Sequence, residues 1–156
     1  MIKTKFLRTF GAAAISATLS TLPALADEAT EATNMTLVTT AYQALFGDHD
    51  LTALEKYYAE NYIQHNPTAP TGREGLRKFL TDIGFDKAPK TKLTYLRTAA
   101  DGDLVWLYLV GNIGQGDMAI IDIFRVENGK IAEHWDVMQL VPATTASGNS
   151  FTGDLK

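Results

Sequence analysis

The chain has 156 residues, with 14 basic and 18 acidic side chains, a net charge of −4 and no cysteine. Those figures exclude disulfide and thiolate chemistry and argue against nucleic acid or an anionic membrane surface as partner. The length suits a short leader followed by one domain that its own core can hold.

In chain order, Lys3, Lys5 and Arg8 form a basic start, and an apolar run follows from Phe10 to Leu22. Ala24-Leu-Ala26 then supplies a small-x-small cleavage signal, so residues 1–26 are predicted to be a cleaved signal peptide of bacterial type. The apolar run is too short for a membrane span of roughly 20 residues. The expected location is the periplasm or the medium, with no membrane attachment after cleavage. Removal takes out three cations, so 14 basic residues become 11 against 18 acidic, and the remaining 130 residues carry −7.

Residues 27–33 read as a polar leader, the domain as 34–141 and a small, polar tail as 142–156. Val38, Ala41, Tyr42 and Leu45 recur at helical spacing, predicting a helix over 34–46 that Gly47 stops. Asp50 is placed to cap a short second helix carrying Leu51, Leu54, Tyr57 and Tyr58. Residues 61–64 read as a short extended piece, broken by Pro67 and Pro70. Thr71-Gly-Arg-Glu74 has the form of a capping box, and Leu76, Phe79, Leu80 and Ile83 stripe the helix behind it.

From Lys90 the pattern becomes β, with strands predicted over 92–99, 104–112, 117–126 and 130–141 and a hairpin signal at Asp101-Gly102. Helices first and antiparallel strands afterwards describe an α+β domain: three helices packed on one face of a curved, mostly antiparallel sheet.

The segment from Asp122 to Asp136 places titratable groups inside otherwise apolar strands. Asn128-Gly129 supplies its turn, and two registers are open. A two-residue loop sets Glu127 against Lys130 and Asp122 against Trp135, on the face opposite His134. A three-residue loop closed by a glycine bulge sets Asp122 against His134, so that Asp122, His134 and Asp136 share one face with Ile120, Phe124 and Ala132. The second is favoured, because Gly129 before Lys130 suits the bulge.

Together with three helices and a meandering sheet, Tyr62-Ile-Gln-His-Asn-Pro67 and the Asp122–Asp136 segment resemble the SnoaL-like polyketide cyclases, within the nuclear transport factor two-like superfamily. The resemblance covers about 35–141. It implies a cone-shaped α+β barrel whose pocket lies on the concave face, no metal or organic cofactor, and homodimers through the outer sheet face. It also implies an aspartate general acid/base, matched here by Asp136. One departure is that Tyr108 and Val110 stand on a strand where relatives often carry histidine.

The residues themselves suit that chemistry. A carboxylate in a partly desolvated pocket is a better base than in water, as removal of a proton next to a carbonyl requires. The plainer alternative for Asp136 is a strand aspartate satisfied by a backbone or arginine donor. His134 is two residues away, on the same strand face, and Asp122 is placed to orient its imidazole. His65 and Asn66 precede Pro67 and could bind a substrate oxygen. Tyr62, Tyr108 and Phe124 are candidate lining residues, though such aromatics also build cores. A metal is not expected, since the ligand-type residues lack a close His-x-His or His-x-x-x-His pair. Asp48-His49-Asp50 reads most simply as a loop.

The expected function is cofactor-independent proton transfer on a small apolar carbonyl compound, as aldol closure, isomerisation or elimination. The alternative is a non-catalytic periplasmic domain that binds a small apolar ligand or a partner protein.

Overall fold

A computed structural model describes residues 28–112 and 116–153, so the expected signal segment lies outside the described residues. Helix α1 spans Glu28–Tyr42 and is followed by a π-helical turn, Gln43–Gly47. It begins six residues earlier than the apolar stripe predicts, so the polar stretch ahead of Asn34 is helical from Glu28 onward. The anchoring is polar: the Asn34 amide donates to the Gly102 carbonyl at 3.0 Å, and Glu31 accepts the Gly102 N–H at 3.1 Å. Val38, Ala41, Tyr42 and Leu45 then turn inward as their spacing predicts.

Gly47 is the last residue of this element, and no larger residue fits there. A Cβ there would lie 2.1 Å from Gln43 Nε2 and 2.7 Å from the Thr91 carbonyl oxygen. Gln43 needs that space, because its amide donates to Asp48 and Thr91 and accepts from the Leu93 N–H.

Helix α2 (Ala53–Tyr57) leads directly into strand β1 (Tyr58–Gln64). Asp50 accepts both the N–H and the hydroxyl of Thr52, which holds its carboxyl below the usual carboxylate range. Helix α3 (Arg73–Asp82) starts behind Gly72. Thr71 does not cap it as the sequence pattern predicts. Its hydroxyl instead donates to the Tyr62 carbonyl and accepts the Gln64 N–H, tying the loop to β1.

Strands β2 (Tyr95–Asp101), β3 (Leu104–Asn112), β4 (Asp117–Glu127) and β5 (Lys130–Leu140) follow as an antiparallel meander, and β1 joins β5 in parallel. The order β1-β5-β4-β3-β2 leaves the sheet curled but unclosed, with β1 and β2 as its edges. The helices cover the concave face, against Val105, Leu107 and Leu109 of β3 and Ile120, Phe124 and Val126 of β4. Burying each side chain of this size contributes roughly 1.5–3 kcal/mol. Among the described residues no helix is long and apolar enough to cross a membrane.

The β4–β5 register keeps the expected shared face of Asp122, His134 and Asp136 but corrects its cause and the pairing: Asp122 lies opposite Asp136, not opposite His134. The loop has two residues: Glu127 pairs with Lys130, and Asn128 (φ 51) and Gly129 (φ 70) both take the positive φ that a type I′ turn requires. The three-residue loop is not formed. Val126 pairs with Ile131, but Arg125 pairs with Glu133, so Ala132 is the extra residue of a bulge inside β5. Beyond it Phe124 faces His134 and Asp122 faces Asp136. Because side chains alternate along a strand, that one-residue slip is what brings His134 and Asp136 onto Asp122's face.

Candidate functional site

Four elements meet at Asp122. It lies mid-strand in β4 among apolar neighbours, and Phe124 two residues on stacks against the His134 ring at 4.7 Å. The Tyr42 hydroxyl, at the end of α1, donates to Asp122 Oδ2 at 2.7 Å. His134 Nε2 lies 2.9 Å from Asp122 Oδ1, and both residues are buried. The other ring nitrogen, Nδ1, lies 2.8 Å from Gln64 Oε1 on β1. An imidazole and a carboxylate buried this deeply are tolerable only because each is hydrogen-bonded.

Asp136, on the same face of β5, forms the outer end of the cluster. Asn66 Nδ2 donates to its Oδ2 at 2.6 Å. The Asn66 amide cannot be turned round, since its Oδ1 accepts the Thr68 N–H at 2.8 Å and an N–H only donates. Asp136 Oδ1 accepts no hydrogen bond from another described residue. Exposure rises along this face of β5, from His134 at 6 % through half-buried Asp136 to Met138 at 37 % and Leu140 at 53 %. Asp136 therefore stands where the buried network meets an accessible apolar margin.

The surrounding phenols are perturbed by burial and by their nearness to Asp122. Burial, and then that carboxylate, pushes the Tyr42 hydroxyl well above its ordinary range. Burial likewise raises Tyr58 and Tyr62, and it lifts Tyr95 to about 12. The Tyr58 hydroxyl is buried without a hydrogen-bond partner among the described residues.

Of the residues expected at a site, Asp122, His134, Asp136 and Asn66 come together. Phe124 and Tyr62 flank them in the core, and the Tyr62 hydroxyl lies 3.1 Å from Gln64 Nε2. Two residues are elsewhere. His65 sits on the outer face, stacked on Trp135 at 4.7 Å with its Nε2 2.8 Å from Glu133. Strand alternation separates it from Gln64 and Asn66, so the expected His65–Asn66 donor pair is split between faces. Tyr108 pairs with Ile121, on the face opposite the Leu107–Asp122 pair, and Trp106 shares its side. Neither lines the concave face.

Tyr42 and Gln64 are the members that sequence reasoning missed. Tyr42 reads as one more apolar stripe residue, although a buried phenol needs a partner. Gln64 lies two residues from Tyr62 in the motif already singled out, and that spacing places it on the same strand face.

The ligand-type atoms of Asp122, His134 and Asp136 all lie within 4.8 Å of one another, which would suit a divalent cation. Coordination by His134 would have to break its bond to Asp122 or its bond to Gln64, because both ring nitrogens are already engaged. Two surface depressions lie away from these residues, about 460 Å³ beside Ala32, Thr33, Thr36 and Leu37 and about 470 Å³ within the tail from Val141 to Thr152. Asp122, His134, Gln64, Asn66 and Asp136 form a hydrogen-bonded network that runs from the core to the half-buried Asp136.

The model of the SnoaL-like domain matches residues 38–134, more than half of the chain. The chain belongs to the SnoaL-like family. The matched segment holds Tyr42, Gln64, Asn66, Asp122 and His134, and Asp136 follows two residues beyond it. No curated protein matches this SnoaL-like chain. Solved structures share its fold. An NTF-2 like protein of unknown function from Burkholderia xenovorans LB400 is 15% identical over 76% of this chain and 91% of its own, with a TM-score of 0.61. A protein from Bacillus cereus ATCC 10987, provisionally described as a polyketide cyclase, is 24% identical over 76% and 89%, with a TM-score of 0.56. An LEH-like epoxide hydrolase of M. tuberculosis is 16% identical over 70% and 84%, with a TM-score of 0.55. At these identities the likeness is one of fold, the cone-shaped α+β architecture.

Proposed function

We propose that this SnoaL-like chain is an exported enzyme that moves a proton on a small, apolar carbonyl compound without a cofactor, with Asp136 as the base. The supporting observation is the asymmetry of the Asp136 carboxylate: Oδ2 is held by Asn66, while Oδ1 accepts no hydrogen bond from another described residue, and Asp136 itself is only half-buried. A fixed carboxylate with one free oxygen is suited to taking a proton from a carbon next to a carbonyl.

Asn66 Nδ2 carries two hydrogens and spends one on Asp136. The other is available to the substrate oxygen, where negative charge develops as the proton leaves. His134 has both nitrogens committed, so its part is to tie Asp122 and β1 together beside the base, not to contact substrate. His65, on the outer face, has no place in this scheme. Names of structural neighbours, which include polyketide cyclase, ketosteroid isomerase and epoxide hydrolase, support a small-molecule enzyme. Family membership supports the same kind of enzyme and names neither the reaction nor the substrate.

Self-association through the outer sheet face is part of the same proposal. Ile121 at 44 % and Val137 at 70 % are exposed there, an apolar surface suited to a second copy. One observation favours the alternative of a non-catalytic binding domain: the buried Tyr42–Asp122–His134–Gln64 chain is fully bonded and reads equally as structural.

Deuterium exchange separates the two readings. Wild-type protein in D2O should exchange hydrogens next to the carbonyl of small cyclic ketones or β-keto esters faster than buffer does. Binding of such compounds with no exchange across the panel would leave the binding domain.

A further inference from the structure

The hydrogen bonds of Gln64 decide where the His134 ring carries its protons. The Asn66 backbone N–H reaches Gln64 Oε1 at 3.0 Å. A backbone N–H only donates, so the atom receiving it is the amide oxygen and the orientation of the Gln64 amide is set. The nitrogen end then lies 3.1 Å from the Tyr62 hydroxyl. The same Oε1 is 2.8 Å from His134 Nδ1. An amide oxygen only accepts, so Nδ1 must carry a hydrogen. What remains is a single proton between Nε2 and Asp122 Oδ1, 2.9 Å apart.

We infer that Gln64 is a positioning residue: it holds His134 with Nδ1 protonated and Nε2 turned toward Asp122. The site's one undetermined proton is thereby kept on the carboxylate side of the ring. Asp122 pairs directly with Asp136, and two carboxylates placed so repel one another when both are ionised. A proton held between Asp122 and His134 relieves that repulsion whichever of the two carries it. Were the ring to flip or change tautomer, Nε2 would lose this role and Asp122 would face Asp136 uncompensated. Gln64 also sits one residue from His65 and two from Asn66, so its amide joins the arm that holds Asp136 to the ring that compensates it.

The placement of the proton stands on geometry alone, while its kinetic consequence rests on Asp136 acting as the base. The test is a long-range 1H–15N correlation spectrum of full-length protein, labelled at its three histidines, with His49→Gln and His65→Gln variants used for assignment. The wild type should show a protonated-type Nδ1 at His134 at neutral pH. Gln64→Met, of similar shape but without an acceptor, should move Nδ1 toward the unprotonated type. Gln64→Glu keeps an acceptor and should retain the protonated Nδ1. In deuterium exchange, Gln64→Met should lower kcat roughly tenfold or more with little change in KM, by analogy with removal of partners that orient ligating histidines. An unprotonated Nδ1 in the wild type, or a Gln64→Met ring indistinguishable from wild type, would overturn the inference. Both hold whether or not the protein catalyses exchange, so failure of the enzymatic reading remains separable.

Discussion

Asp122 on β4 pairs directly with Asp136 on β5, yet the two carboxylates live in different surroundings. Asp122 is buried and answered by Tyr42 and His134, while Asp136 is half-buried and answered by Asn66. The same side-chain type is thus bonded in two ways, one carboxylate engaged through both oxygens in the core and the other held through a single oxygen at the margin.

Removing the buried member should be expensive. Asp122→Ala leaves the His134 ring and the Tyr42 hydroxyl without their partner in the core, and a loss of about 3–5 kcal/mol is expected. The exposed Lys78–Asp82 pair on α3 is the control, where Asp82→Ala should cost at most about 0.5 kcal/mol. Urea unfolding midpoints of the two variants test the contrast.

Gly129 gives a cleaner backbone test. A Cβ there would meet nothing within 4 Å, so substitution acts only through φ, which is 70°. Gly129→Ala should lower stability by roughly 1–2 kcal/mol. It should do so without altering the β4–β5 register, which amide chemical shifts would report.

High pH should unfold the domain through its tyrosines. Tyr42, Tyr58, Tyr62 and Tyr95 all hold their protons more tightly when folded, because burial and the charge of Asp122 oppose a phenolate. The unfolded chain begins to lose these protons near 10, while folded Tyr95 holds its own to about 12. Stability is therefore intact below pH 10 and falls as pH rises through that window. The near-ultraviolet absorbance of tyrosinate and the loss of circular dichroism should rise together for these groups.

The sequence carries the architecture in its periodicities. The stripe from Val38 to Leu45 and the strands from Leu104 onward lie where their spacing places them. What it conceals is the bulge. Ile131 and Ala132 are consecutive apolar residues and both are buried, so alternation lapses without any glycine to mark it. The shared face of Asp122, His134 and Asp136 could be anticipated from their chemistry, but not the device that makes it. His65 and Asn66 are adjacent in sequence and fall on opposite faces of the sheet edge, which follows once the pairing of Gln64 with His134 is known. Tyr42 is legible as core alone, because its partner lies 80 residues away.

The outer face invites a test of assembly. Val137→Lys places a charge amid exposed apolar side chains of β4 and β5, including Ile121. Sedimentation should show a dimer for the wild type and a shift to monomer for the variant, with thermal unfolding of the monomer otherwise retained.

Asp136→Asn is the most direct measurement on the reading as a whole. The amide keeps the shape of the side chain and can still accept a hydrogen bond from Asn66, but it cannot take a proton from carbon. Deuterium exchange into a carbonyl substrate should fall at least about 100-fold while the folded spectrum and ligand affinity stay close to wild type. Exchange at the wild-type rate by this variant would contradict Asp136 as the base.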